Sequence, residues 1–219
     1  LERYFGKGSY ISVAGFSKRL KTYIYNKVTT IDYTGFPNQT GNVPSSNFGT
    51  FSRPENGQGG YVDGVEVTVS LEGKLLLPIL DGFGVSASGS DTHSAIQRNG
   101  PGSNAPLAGL SGRATNLTLY YEKAGFSTRI SKRERSPFTA EITGLFGFRT
   151  FETTKSDAVV DFQAGYNFDR GVLKGLGVIF QINNATNAGY ETFSVNGVAR
   201  PARYNTYGRQ TLLGITYKM

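Results

Sequence analysis

Val65-Glu66-Val67-Thr68-Val69-Ser70-Leu71-Glu72 decides the fold. Apolar and polar side chains alternate without a break, and a period of two places each set on one face of a β-strand. The same alternation returns further on. Val160, Phe162, Ala164, Tyr166 and Phe168 oppose Asp161, Gln163, Gly165 and Asn167. Leu176, Val178, Phe180 and Ile182 oppose Gly177, Gln181 and Asn183, with Ile179 the exception. Asn116 to Tyr121 alternates too, as do Leu213, Ile215, Tyr217 and Met219 against Gly214, Thr216 and Lys218. Extended along the chain, this pattern predicts strands over 1–5, 9–27, 60–76, 82–95, 112–123, 125–135, 156–168, 175–186 and 204–219.

Composition agrees. The 29 glycines disfavour long helices, and 15 Phe with 13 Tyr favour pleated sheet. The longest apolar run, Leu75 to Leu80, is interrupted by Pro78 and falls far short of the roughly 18 residues of a membrane helix. A membrane barrel is compatible, because its strands hide apolar residues at every second position. Most of the predicted strands reach the roughly 9–11 residues that a tilted strand needs to cross a bilayer, whereas soluble strands cluster near 5–6.

The connections separate barrel from sandwich. Short ones at 6–8, 77–81, 123–125 and 169–174 alternate with long ones at 28–59, 96–111, 136–155 and 187–203. Up-and-down strands put every second connection at the same end, and outer-membrane barrels have short periplasmic turns opposite long outer loops. Tyr10, Phe83, Tyr120, Tyr121, Phe126, Tyr166, Phe168 and Tyr217 lie near the short turns or the C-terminus, as an aromatic girdle at one membrane interface would. The expected fold is an all-β, transmembrane, antiparallel up-and-down β-barrel in a bacterial outer membrane, with no domain boundary inside 1–219.

Several chemistries have little support. Without cysteine there is no disulfide scaffold and no thiolate metal site. The single histidine, His93, beside Ser90 and Ser94, lacks a nucleophile-elbow motif, and an incidental loop-edge histidine is the better reading. Gly57-Gln58-Gly59-Gly60 completes no phosphate loop. No catalytic residue, metal site or cofactor is expected. The formal charge of +7 is scattered, which suits anionic lipopolysaccharide or solvation and not nucleic acid.

Asn116-Leu117-Thr118-Leu119-Tyr120-Tyr121-Glu122-Lys123-Ala124-Gly125-Phe126-Ser127-Thr128-Arg129 resembles the late hairpin of TonB-dependent outer-membrane receptors. Asp161 with Tyr166, then Gly177 through Asn183-Asn184-Ala185-Thr186-Asn187, resembles that family's penultimate strands. Tyr207-Gly208-Arg209 through Gly214-Ile215-Thr216-Tyr217-Lys218-Met219 resembles its closing strand, and Tyr61-Val62-Asp63-Gly64-Val65-Glu66 the opening of a mid-barrel strand. The family usually ends on Phe, where this chain has Met219.

The resemblance implies that 1–219 supplies about nine C-terminal strands of a 22-stranded barrel. The plug domain and earlier strands would lie outside this chain, since nine strands alone would leave two open edges in lipid. It also implies uptake of a scarce nutrient driven through the TonB complex, which contacts the plug, and recognition of the C-terminal strand by the barrel-assembly machinery. The hairpin looks most like receptors of the Caulobacter and Xanthomonas type, so an oligosaccharide is the expected ligand. A ferric-siderophore receptor and a passive porin are the alternatives.

Ligand contacts are expected from the long loops: Tyr33, Phe36 and Phe51; Phe146, Phe148, Arg149 and Phe151; and Tyr190, Phe193, Arg200, Arg203 and Tyr204. Aromatic faces stack on sugars or aromatic chelates, and arginines clamp anionic groups. By strand parity Glu66, Thr68, Ser70, Glu72, Asp161, Gln163, Gln181 and Asn183 are expected to face the lumen, as a wet wall or against a plug.

Overall fold

The structure is a computed structural model that describes residues 1–6, 8–37, 41–143, 149–194 and 201–218. Its strands are β1 (Glu2–Phe5), β2 (Ser9–Asp32), β3 (Phe48–Glu72), β4 (Phe83–Ile96), β5 (Arg113–Lys123), β6 (Phe126–Arg135), β7 (Thr139–Thr143), β8 (Arg149–Thr154), β9 (Asp157–Asn167), β10 (Leu176–Asn183), β11 (Tyr190–Ser194), β12 (Pro201–Asn205) and β13 (Gln210–Tyr217). No α-helix occurs among the described residues. Nine strands form one sheet in the order β1-β2-β3-β4-β5-β6-β9-β10-β13, and β12-β11-β8-β7 form a second. The nine-stranded sheet is open, with β1 and β13 as its edges.

By its contacts the chain divides into two units: Leu1–Phe16, Asp63–His93 and Ala108–Met219; and Ser17–Val62 with Ser94–Leu107. In the first unit the antiparallel register lines up the apolar set. Val85, Leu119, Ile130, Phe162 and Ile182 are successive cross-strand partners, and so are Phe126, Tyr166, Val178 and Ile215. Directly opposed residues share a face, so these rows form one apolar surface. Leu119 is 50% exposed and Ile215 70%. The buried apolar side chains among the described residues are Tyr25, Val62 and Ile96, all in the other unit. A sandwich would have to cover such a face with a second sheet. A membrane strand leaves it open to lipid.

The short-connection end of this face is aromatic. Phe83 and Tyr121 are cross-strand partners with ring centroids 4.6 Å apart, Tyr121 lies 6.2 Å from Phe126, and Tyr166 meets Phe168 edge-on at 4.7 Å. Two expected girdle members lie on the other face. Adjacent strand residues must point oppositely, so Tyr121 on the apolar side leaves Tyr120 on the polar side. There its ring covers Gly84, where any Cβ would collide with it. Tyr10 shares the face of Gly8, whose Cβ would fall on the carboxylate of Glu72.

Three long-loop expectations need correction. First, β2 and β3 run for 24 and 25 residues, so 28–32 and 48–59 are strand and the connection is only 33–47. The glycines there serve close backbone approach: a Cβ on Gly59 would fall on the Leu20 carbonyl, and one on Gly60 on the Ala95 carbonyl. Pro54 sits where β3 has run past the end of β4, a setting in which a missing donor is tolerated. Second, 136–155 contains the paired strands β7 and β8, and 187–203 contributes β11 and the start of β12. Third, Tyr204 and Asn205 belong to β12, so the last wall strand starts at Gln210 and not at 204.

The connection 73–82 is built from two 3-10 turns, Gly73–Leu75 and Pro78–Leu80. At the end of the second turn, Asp81 accepts a salt bridge from Lys123 at 3.0 Å, with Lys74 at 3.9 Å. The Lys123 hydrogen bond, then the Lys123 and Lys74 charges, hold the Asp81 carboxyl below the ordinary carboxylate range. A depressed folded-state pKa contributes stability above the unfolded pKa, and that contribution is lost as pH falls through the folded value. Lys123→Ala should move the Asp81 titration midpoint upward, which carboxyl NMR reads directly; an unmoved midpoint would refute the pairing.

Candidate functional site

Three surfaces gather the predicted residues. The first lies in the connection 33–47. Tyr33 and Phe36 meet edge-on at 5.3 Å, and with Phe48, Pro37, Asn42 and Asn47 they line a hollow of about 600 Å³. Gly49 makes room for it, because a Cβ there would stand 3.0 Å from the Tyr33 ring. The entrance is fixed by Asp32, whose Oδ1 accepts from the Thr34 amide at 2.9 Å and its hydroxyl at 2.6 Å. Those bonds hold the Asp32 carboxyl below its ordinary range. Phe51, expected in a loop, lies in β3 and does not line the hollow. Phe48 was missed by sequence reasoning, and it is 66% exposed.

The second surface is the four-stranded sheet. Phe193 pairs with Thr153, Glu141 with Phe151, and Glu191 with Tyr204. Phe151, Phe193 and Tyr204 therefore share one face, although they come from two separate connections. Tyr190 and Arg203 fall on the other face by the same alternation. Phe146, Phe148 and Arg200 lie outside the described residues.

Every described cation named in this sheet is matched by a carboxylate. Arg149 binds Glu141 bidentately, through Nε to Oε1 and through a terminal nitrogen to Oε2 at 2.7 Å. Lys155 meets Glu191 at 3.0 Å and Arg203 meets Glu152 at 3.3 Å. Glu152 also accepts the hydroxyl of Thr192 at 2.6 Å, and Thr192 is 1% exposed. The three acids were absent from the sequence-level candidates. A Glu two residues from a Phe or Thr in a short alternating run was the available signal.

The third surface is the polar face of the nine-stranded sheet. Gln163 Oε1 accepts from Arg129 at 2.7 Å and from Gln181 at 2.9 Å. Asp161 accepts the Asn184 amide at 2.9 Å and faces Arg133 at 3.6 Å; Arg135 meets Asp157 at 3.2 Å. Asn183 follows Gln181 in the same alternation. Glu66 and Thr68 line a smaller hollow of about 240 Å³ with Ser88, Ser90 and Asn116, while Ser70 donates to the Gly8 carbonyl at 3.4 Å and the Glu72 amide donates to Ser9 at 2.8 Å. Arg129, Arg133 and Arg135 went unselected, although they alternate with Ile130, Lys132 and Glu134. Chemically this face is a self-satisfied polar wall, with amides and ion pairs opposite one another.

His93 lies 3.5 Å from Asp91; the histidine side chain is largely exposed and the aspartate about half exposed. No group of three or more potential metal ligands occurs among the described residues. A family model described as TonB dependent receptor-like, beta-barrel matches residues 1–185. No curated protein and no solved structure matched the chain.

Proposed function

We propose, on the premise that this chain belongs to the TonB-dependent receptor-like β-barrel family, that it captures an uncharged oligosaccharide for import across the outer membrane. The family is one of outer-membrane receptors, and its apolar sheet face meets lipid. The finer reading rests on one observation: the cations on the aromatic face of the outer sheet are already matched by carboxylates, Arg149 by Glu141 and Lys155 by Glu191. An anionic chelate would have to displace those carboxylates and desolvate them. A neutral sugar can instead stack on Phe193 and Tyr204 and exchange hydrogen bonds with the existing pairs. The Tyr33–Phe36–Phe48 hollow, lined with asparagines, offers the same chemistry in the other unit.

The rest of the machine follows from this reading. The polar face, with Asp161, Gln163, Gln181 and Asn183, lines the lumen or meets a plug. Further strands complete the wall between β1 and β13, and a plug domain carried elsewhere in the receptor couples it to TonB. Lipopolysaccharide surrounds the outer rim, and the C-terminal strand is handed to the barrel-assembly machinery. The late hairpin aligns the chain with receptors of the Caulobacter and Xanthomonas type.

Calorimetry on the intact receptor tests the ligand class. Neutral oligosaccharides should bind and ferric chelates should not. Phe36→Ala with Phe48→Ala should weaken binding by about tenfold, as loss of roughly 1.4 kcal/mol of aromatic contact would. Tight binding of a ferric chelate, unaffected by added oligosaccharide, would overturn the reading. Uptake that persists without TonB would overturn the energised mechanism.

A further inference from the structure

The connection 73–82 is unusual for a turn between strands, because its apolar side chains are open. Leu76 is 67% exposed and Ile79 84%. In water such a patch is costly, and on a monomer it marks a contact surface. The two 3-10 turns fold it tightly: a Cβ on Gly73 would stand 2.7 Å from the Leu80 carbonyl and 3.0 Å from that of Phe83. Leu76 and Leu80 from the turn, with Leu71, Val85, Leu119 and Ile130 from the strands, line an apolar hollow of about 410 Å³. Val85, Leu119 and Ile130 are successive cross-strand partners in the apolar row, so the hollow opens on the membrane side.

A charged cluster flanks it. Lys74 follows Gly73, Asp81 follows Leu80, and Lys123 lies two residues beyond Tyr121. Lys123 is the direct partner of Phe126, so it rises from the membrane-facing side beside the aromatic belt. Asp81 holds both lysines, leaving two cations against one anion. Lysine nitrogens at an interface attract anionic headgroups, and their stems follow apolar surface.

We propose that this hollow and cluster form a site for one anionic glycerophospholipid of the periplasmic leaflet. One acyl chain fills the hollow under Leu76 and Leu80, and the phosphate sits against Lys74 and Lys123. The side of the membrane follows from the short connection, which places the site away from lipopolysaccharide. The site is separate from the ligand surfaces of the receptor and does not depend on what the receptor imports.

Native mass spectrometry of the intact receptor, stripped of lipid and re-equilibrated with equal phosphatidylglycerol and phosphatidylethanolamine, tests it. One phosphatidylglycerol should be retained in preference. Lys74→Ala with Lys123→Ala should reduce that preference on the order of tenfold. Val85→Trp, which fills the hollow, should release both lipids. Heat-modifiable gel migration identifies folded protein, and Lys74→Gln alone gives a milder second variant. Equal retention of the two lipids, or an unchanged preference in folded double and single variants, would overturn the proposal.

Discussion

Leu119→Arg should destabilise the barrel by about 2–4 kcal/mol, the cost of an arginine at mid-depth on a lipid-facing strand position. Leu119 sits in the middle of the apolar row, between Val85 and Ile130, and is 50% exposed on that face. Its neighbour Thr118 points the other way and shares a hydrogen bond with Ser131 at 2.9 Å. Thr118→Arg should therefore cost under about 1 kcal/mol, since its head reaches the polar wall that holds Asp161. Denaturant unfolding of the reconstituted receptor measures both. Equal losses would mean that the two faces have been assigned wrongly, because a shift by one residue exchanges every side chain between them.

The second large effect concerns the outer sheet. Glu152→Ala should loosen it by about 2 kcal/mol, chiefly by leaving the Thr192 hydroxyl without an acceptor. That hydroxyl belongs to a residue 1% exposed, so water cannot readily replace the carboxylate. The Arg203 side chain is 51% exposed, so losing its partner adds little. Glu152→Gln keeps an acceptor and should recover most of the loss. Hydrogen exchange across β8 and β11 is the readout. Faster exchange there, with the nine-stranded sheet unchanged, is expected; unchanged protection in Glu152→Ala would show that the pairing does not hold the two hairpins together.

The nine wall strands were legible because a half-buried strand writes its two faces into alternating residues. Even so, Tyr120 and Tyr121 were read as a pair when alternation forbids it. The outer sheet was not legible. Its strands are five or six residues long, and its central pairing joins Thr154 to Thr192 across an intervening pair of wall strands. No local period encodes a partner so far away. The long extensions of β2 and β3 were hidden for the opposite reason: Pro54, Gly57, Gly59 and Gly60 carry turn chemistry, yet here they let backbones approach. At the candidate surfaces, residue type had singled out Tyr33, Phe36, Phe193 and Tyr204, which the structure brings onto shared surfaces. Phe48 and the matching carboxylates depend on the path of the chain, which composition does not record.

β6 pairs directly with β9, and β10 with β13, so the wall closes beneath each outer hairpin without help from it. The four-stranded sheet β12-β11-β8-β7 is thus an appendage that leaves and rejoins the wall between neighbouring strands. Exchange of that whole sheet for another would leave every rung of the wall in place. Selection can then replace it as a cassette at fixed anchor points, at little risk to assembly in the membrane.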